Sequence, residues 1–323
     1  MKKWLMGLCL CICMAAVGLS GCTPQNAATT ANSSQRNGVY AEITDDAGRT
    51  VTLKEKPQRV VVLSTSILNF VTAVDGDVAG RATVKSEDAL IADTYKNVPD
   101  VGPVYNVSAE KIMELKPDLV IASAKQHQKL IPILEQNHIP VIALKSKSYD
   151  DVKHNMEIIG QVYGQEEAAK AKISAMDTEI ASIVDKLPQE KKRIAIIYAT
   201  PSAVSVQLPS SIAGNVADIL HFENVAAAAQ QDAKGAEKVP YSMETLVEQN
   251  PDIIFFTSMG QKDKIEKRIQ EDVKSNPAWG TLRAVQEGHV YVLPENYFLL
   301  NPGLEYPKAI AYMAKLVYPE VYK

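Results

Sequence analysis

Beyond residue 22 this sequence of 323 residues has no cysteine: Cys9, Cys11, Cys13 and Cys22 are the whole complement. The body of the chain therefore forms no internal disulfide, holds no cysteine-ligated metal cluster and carries no cysteine nucleophile. Histidine is sparse and scattered, at His127, His138, His154, His221 and His289, without an HxH or HxxxH pair. That disfavours a site for bare zinc or manganese. Four catalytic signatures are also missing: the GxGxxG and GxxxxGK loops, the GxSxG elbow and the HExxH helix. The chain offers little to an enzyme. Nor do basic residues dominate, since the formal charge is −4, and this argues against nucleic acid as a partner.

What is present begins with Lys2 and Lys3, an apolar run from Trp4 to Leu19, and the tetrapeptide Leu19-Ser20-Gly21-Cys22. A basic start, a short apolar region and small residues before a cut are read by the export machinery as a secretory signal. A stable membrane-spanning helix needs about 20 apolar residues. Residues 1–21 are therefore expected to be a lipoprotein signal peptide, with Cys22 as the lipidated residue after cleavage. Residues 22–39, rich in Ala, Thr, Asn, Ser and Gln, are expected to be a flexible tether spanning roughly 20 to 25 Å. The protein would then be exported and lipid-anchored to the outer face of the cytoplasmic membrane. With 46% hydrophobic residues, the body is large enough to bury a core without disulfides.

The most informative feature is a repeat. Ser108 to Val120 reads SAEKIMELKPDLV and Ser242 to Ile254 reads SMETLVEQNPDII, 134 residues apart. At the same offset Arg59 to Ser66, RVVVLSTS, matches Arg193 to Thr200, RIAIIYAT. Two separate elements keeping one spacing indicate two similar lobes, because solenoid periods are shorter, about 20 to 50 residues. In each copy a serine can cap a helix, an aliphatic stripe follows, and a Pro-Asp turn stops it before a β run.

The continuous apolar runs Val60 to Leu63, Leu119 to Ala122, Val141 to Leu144, Ile194 to Ile197, Ile253 to Phe256 and Val290 to Leu293 suit strands covered on both faces. Their alternation with helical stretches predicts an α/β protein of two lobes, each a mainly parallel sheet flanked by helices. The lobes fall at residues 40–150 and 189–323, the second closed by a C-terminal helix. Between them, Val152, Met156, Ile159, Val162, Ile173, Met176, Ile180 and Ile183 recur at helical spacing up to Pro188. This predicts one long connecting helix over 151–188, with Gly160 to Gly164 as the place for any break. A ligand cleft is expected between the lobes, at the carboxyl ends of the strands, with modest lobe movement on binding.

The loops after those strands carry Ser64, Thr65, Lys85, Tyr105, Lys125, Gln126, His127, Lys145 and Tyr149 in the first lobe, and Tyr198, Ser258, Met259, Asn296 and Tyr297 in the second. Tyr105, Lys125, His127, Tyr198, Ser258, Met259 and Tyr297 are the candidates for ligand contact, a polar, tyrosine-rich and moderately cationic set. An imidazole such as His127 can ligate iron, meet an acidic group or simply be exposed. Met259 suits packing as well as ligation. Trp279 is expected to pack at a helix start, and Ser210 and Ser211 to serve as a helix cap or a polar contact.

In order along the chain stand DDAGRTVTL (Asp45 to Leu53), KPQRVVVLS, PDVG (Pro99 to Gly102), the two repeat segments, and NPAWGTLRAVQEGHVYVLP (Asn276 to Pro294). In that order and spacing, from about Tyr40 to the C-terminus, the sequence resembles the substrate-binding proteins of iron-complex and cobalamin ABC importers, whose lobes are joined by one rigid helix. The resemblance implies a lipoprotein without enzymatic activity and without a cofactor of its own, monomeric when free. It would carry haem, a ferric siderophore or cobalamin and deliver it to permease and ATPase subunits.

The resemblance also implies that Glu110 and Glu244, equivalent in the repeat, meet arginines on the permease. The same carboxylates would favour their helix N-termini through the dipole. In haem-binding members the iron ligands match Tyr105 and Met259 here, and a phenolate or a methionine sulfur can serve that role. Readings from other classes are a ligand-sensing surface module and an α/β enzyme, since fold alone does not decide function.

Overall fold

The computed structural model describes residues 38–84, 93–230, 235–259, 262–300 and 302–322. The signal segment, Cys22, nearly all of the expected tether and Lys85 lie outside the described residues. No helix among the described residues is long and apolar enough to cross a membrane.

The first lobe starts with a hairpin, β1 (Ala41–Thr44) and β2 (Thr50–Leu53). Behind it lies a parallel sheet of β3 (Val60–Val62), β4 (Gly80–Arg81), β5 (Leu119–Ser123) and β6 (Val141–Leu144), in the spatial order β4-β3-β5-β6. Helices α1 (Thr65–Thr72), α2 (Ala109–Glu114) and α3 (Ile131–Gln136) flank it. The hairpin turn is fastened to the edge strand, where a carboxyl oxygen of buried Asp45 accepts the Ala143 N–H at 3.0 Å and the Asp46 N–H donates to the Ala143 carbonyl at 3.0 Å. Unpaired groups of β6 are thereby covered.

Two helices follow, α4 (Tyr149–Tyr163) and α5 (Glu166–Val184). The connector is thus helical but not one helix: it breaks at Gly164, which caps α4 in the left-handed conformation at φ 60°. Only glycine enters that region without penalty. The start of α4 is set by Ser148, whose hydroxyl accepts the Asp151 N–H at 3.1 Å while Asp151 accepts the Ser148 N–H at 3.0 Å, a reciprocal cap.

In the second lobe β7 (Arg193–Ala199), β11 (Ile253–Ser258) and β12 (Val290–Val292) run parallel, with β9 (Glu223–Asn224) beside the start of β7. Two strands antiparallel to each other, β8 (Val204–Gln207) and β10 (Lys238–Pro240), widen the sheet beside the last residues of β7. Its helices are α6 (Ile212–Ile219), α7 (Met243–Gln249), α8 (Lys262–Ile269), α9 (Arg283–Gln286), α10 (Glu295–Phe298) and α11 (Tyr306–Val317).

The repeat seen in the sequence is a repeat of register. Val60 pairs with Leu119 between β3 and β5, and Ile194 pairs with Ile253 between β7 and β11, each residue 134 positions from its counterpart. The same polar frame closes both units. Asp118 accepts the backbone N–H groups of Gln58 and Arg59 at 2.7 and 2.9 Å, and Asp252 accepts that of Arg193 at 2.9 Å. Arg59 donates to the Leu115 carbonyl at the end of α2, and Arg193 to the Gln249 carbonyl at the end of α7. The next residues, Lys116 and Asn250, both have positive φ, 46° and 40°. Each arginine thus satisfies a carbonyl that a helix terminus leaves without an intrahelical partner.

Successive strand residues point to opposite faces, and here both faces are covered. Val61 and Val120 face one helical layer of the first lobe, and Ile197 and Phe256 one of the second. Val60, Ile121, Ile194 and Phe255 belong instead to a single core that runs beneath both sheets and includes Met156 and Met176 of the connector. Trp279 is buried against Phe256, ring centroids 6.0 Å apart. Side chains of this size contribute about 1.5 to 3 kcal/mol each on burial, so the back of the molecule joins the lobes apolar face to apolar face.

Candidate ligand-binding site

The carboxyl ends of β3 and β5 in the first lobe and of β7 and β11 in the second carry most of the residues singled out above. The best-defined feature there is the loop holding Tyr105. Asp100 accepts from Arg81 at 3.1 Å, from the Thr83 hydroxyl at 2.9 Å and from the Gly102 N–H at 2.8 Å. Gly102 sits at φ +110°, and a Cβ there would approach the Asn106 carbonyl to 2.9 Å, so no other residue fits without a shift. The Asn106 N–H donates to Pro103 and the Ser108 N–H to Val101, both at 2.7 Å. On this braced loop the Tyr105 side chain is 73% exposed.

His127 supplies a further brace, and here the expectation of a ligand contact needs correction. The ring is 3% exposed. Its Nδ1 accepts the Ser123 N–H at 2.9 Å, so Nε2 carries the proton and donates to the Val104 carbonyl at 2.8 Å. Both nitrogens are occupied, and no lone pair is left for iron. Burial pushes the imidazole pKa down, partly opposed by the bond to Val104, and the ring is neutral. It joins the end of β5 to the loop of Tyr105.

Lys125 lies beside that loop, lining with Tyr105 and Gln126 a surface hollow of about 420 Å³. Its ammonium reaches across to the second lobe, to Glu237 at 2.8 Å, and Lys147 meets the other oxygen of the same carboxylate at 3.2 Å. Burial would raise the Glu237 pKa, but the hydrogen bond from Lys125 and the charges of both lysines outweigh it and hold the carboxyl below its ordinary value. Next in sequence, the Lys238 ammonium stands 4.1 Å from the Tyr198 ring centroid, a cation–π contact. The Tyr198 phenol is pushed up by burial and by the nearby Glu295, Tyr105 and Glu237. Tyr198 is therefore neutral and close enough to Tyr105 to feel it.

The remaining candidates separate into two groups. Ser258 ends β11 next to Ala199, and Met259 follows it, both half-buried. Asn296 and Gln126 are exposed, Ser64 caps α1 without a side-chain bond, and Thr65 opens that helix. Tyr297 is half-buried, its ring 6.4 Å from those of Phe298 and of Tyr312 on α11. Tyr149 is core, since its hydroxyl donates to Asp177 at 2.9 Å and its ring is 5.5 Å from Tyr306. Lys145 pairs with Asp151 at 3.0 Å within the first lobe.

Sequence reasoning missed three residues here. Lys147 and Glu237 form the interlobe ion pair just described. Asn215 accepts the Tyr149 N–H at 3.0 Å and the Tyr306 hydroxyl at 2.6 Å, tying the start of the connector to α6 and α11. No local pattern marks any of them, because each is defined by a partner more than 60 residues away.

Glu110 and Glu244 stand in the first turns of α2 and α7, both exposed and neither in an ion pair among the described residues. The caps that position them are alike. The Ser108 hydroxyl accepts the Lys111 N–H at 3.2 Å, and the Ser242 hydroxyl accepts the Thr245 N–H at 3.3 Å.

The chain as a whole is similar to known proteins. The chain is 28% identical over 292 residues to the Fe(3+)-citrate-binding protein YfmC of Bacillus subtilis, 89% of this chain and 87% of that protein. It is 23% identical over 264 residues to the high-affinity heme uptake system protein IsdE of Staphylococcus aureus, 81% of this chain and 88% of that one. In fold it matches Staphylococcus aureus SirA complexed with staphyloferrin B at a TM-score of 0.71, 22% identical, over 87% of this chain and 98% of that one. Residues 60–297, from the first parallel strand to α10, match the periplasmic binding protein model, and the chain belongs to that family.

Proposed function

We propose that this protein is the extracytoplasmic substrate-binding lipoprotein of an ABC importer, that it captures an iron complex between its lobes, and that it delivers the complex intact to the permease. The observation that carries this reading is Tyr105, an exposed phenol on a loop braced by Gly102, Asp100 and His127. A large aromatic held out on a rigid loop serves binding rather than stability. Lys125 and Lys147 on one side and Tyr198 on the other suit an anionic ferric chelate with carboxylate groups. Ser258 and Met259 line the second-lobe side. Glu110 and Glu244 dock on the permease, where complementary charge sets register, and Cys22 carries the lipid.

Haem is the second reading, favoured by the same exposed phenol, which can ligate haem iron. Intrinsic fluorescence and absorption titrations with ferric citrate, a ferric carboxylate siderophore, haemin and cyanocobalamin separate the two. Saturable quenching by ferric citrate or the siderophore, weakened in Tyr105→Ala, is the expected result. A shifted Soret band that Tyr105→Ala abolishes would instead make this a haem carrier. Saturation by cyanocobalamin alone would overturn the iron reading.

A further inference from the structure

The single ion pair that spans the lobes on the ligand side joins two lysines of the first lobe to one carboxylate of the second, among the described residues. Lys125 follows β5, Lys147 precedes α4, and Glu237 stands just before β10. The Glu237 backbone is fixed, since its carbonyl accepts the Leu208 N–H at 2.9 Å and the preceding Ala236 carbonyl accepts the Ser210 hydroxyl at 2.6 Å. The two ammonium groups take separate oxygens at 2.8 and 3.2 Å. That is the arrangement a ligand carboxylate would need. Tyr105 lines the same hollow as Lys125, and Tyr198 lies within electrostatic reach of both Tyr105 and Glu237.

We infer that Glu237 is a resident occupant of the subsite that binds the ligand's carboxylates, and that an incoming anionic complex must displace it from Lys125 and Lys147. This rests on the iron-complex reading above. The consequence is a selection rule. A ligand that brings a carboxylate replaces the pair with a like one, whereas a ligand lacking it leaves the lobes latched by Glu237. The latch also lowers the apparent affinity for anionic ligands by the fraction of molecules in which the lysines are free. Neutralising Glu237 removes that competition and leaves two uncompensated ammonium groups facing the ligand.

The exported, processed chain and its Glu237→Gln variant test this in two ways. Without ligand, acetic anhydride labelling read by mass spectrometry should modify Lys125 and Lys147 about threefold faster in the variant, because the amines are no longer held against a carboxylate. Lys129, exposed in the same loop, is the internal control and should not change. With ferric citrate as the probe, Glu237→Gln should bind roughly tenfold tighter than the wild type in dilute salt. The difference should collapse at about 0.5 M salt, where screening is short-ranged. Glu237→Asp, which keeps the charge, should stay close to wild type.

Equal labelling in the two proteins would show that the pair does not form in solution and would overturn the inference while leaving the iron-complex reading intact. Faster labelling with unchanged or weaker ferric citrate binding would make the pair a structural contact and also overturn it. If neither protein binds ferric citrate, haemin or a ferric siderophore, the functional reading itself fails and the inference falls with it.

Discussion

Arg59 in the first lobe and Arg193 in the second each tie a helix end to a strand start, yet their surroundings differ. Arg59 and Asp118 are exposed, whereas Arg193 and Asp252 are half-buried. The cause is the register of the neighbouring strand: β9 pairs with β7 from Arg193 itself and has its Glu223 carboxylate 3.4 Å from the guanidinium, whereas β4 meets β3 only from Val61. Farther along, β8 and β10 extend the second sheet where the first sheet ends at β4. Those extra strands carry Glu237 to the lysines of the first lobe. The inner strands and their Arg-Asp frames repeat because they hold each sheet together. The edges diverge where the second sheet reaches the lysines of the first lobe through Glu237.

The comparison is sharpest where the lobes remain most alike. Glu110→Arg and Glu244→Arg, made separately, should each abolish uptake of the iron complex into cells while leaving the affinity of the purified protein unchanged. Reversing a charge at a complementary interface places like charges together, which costs several kcal/mol. Loss of ligand affinity in either variant would move that carboxylate into the ligand site. A large effect from only one of the two would break the symmetry between the lobes.

A smaller effect separates the two frames. Arg193→Ala should destabilise the fold by roughly 2 to 3 kcal/mol, the scale of half-buried hydrogen bonds to a charged group. Arg59→Ala should cost about 1 kcal/mol or less, because water can replace the guanidinium at an exposed site. Denaturant titrations of the two variants check this. Equal losses would mean that burial of the second frame carries no energetic weight.

Much of this architecture is legible in the sequence because it is local or periodic. The Ser-to-Asp repeat units contain their own cap, stripe and stop, and their fixed offset carries over into the pairing of Val60 with Leu119 and Ile194 with Ile253. Gly164 could be named as part of a possible break because a left-handed cap favours glycine. What stayed hidden depends on distant partners. Tyr149 opens a helix as a ligand contact would, but Tyr306 and Asp177 claim its ring and hydroxyl. Lys147 and Glu237 are ordinary loop charges until the lobes bring them together. His127 reads as an exposed imidazole until Val104 is seen over it.

The last difference between the lobes is pH, because a buried neutral imidazole braces the tyrosine loop of the first. Burial holds the folded pKa of His127 below its ordinary 6.5. As pH falls through about 6.5 the unfolded chain takes up a proton that the folded chain still refuses. The stability contributed by the neutral ring is therefore whole above that pH and is lost progressively as pH drops toward the depressed folded value. Thermal melts of the wild type between pH 7.5 and 5 should show this slope superimposed on the titration of other groups. His127→Gln should melt lower at pH 7.5, by the equivalent of about 1 kcal/mol for an impaired hydrogen bond, but should lose less on acidification. The same variant should loosen the loop and weaken the ligand quenching that depends on Tyr105. Parallel melting curves for the two proteins would mean that the ring is not held neutral, and the loop would then owe its rigidity to Gly102 and Asp100 alone.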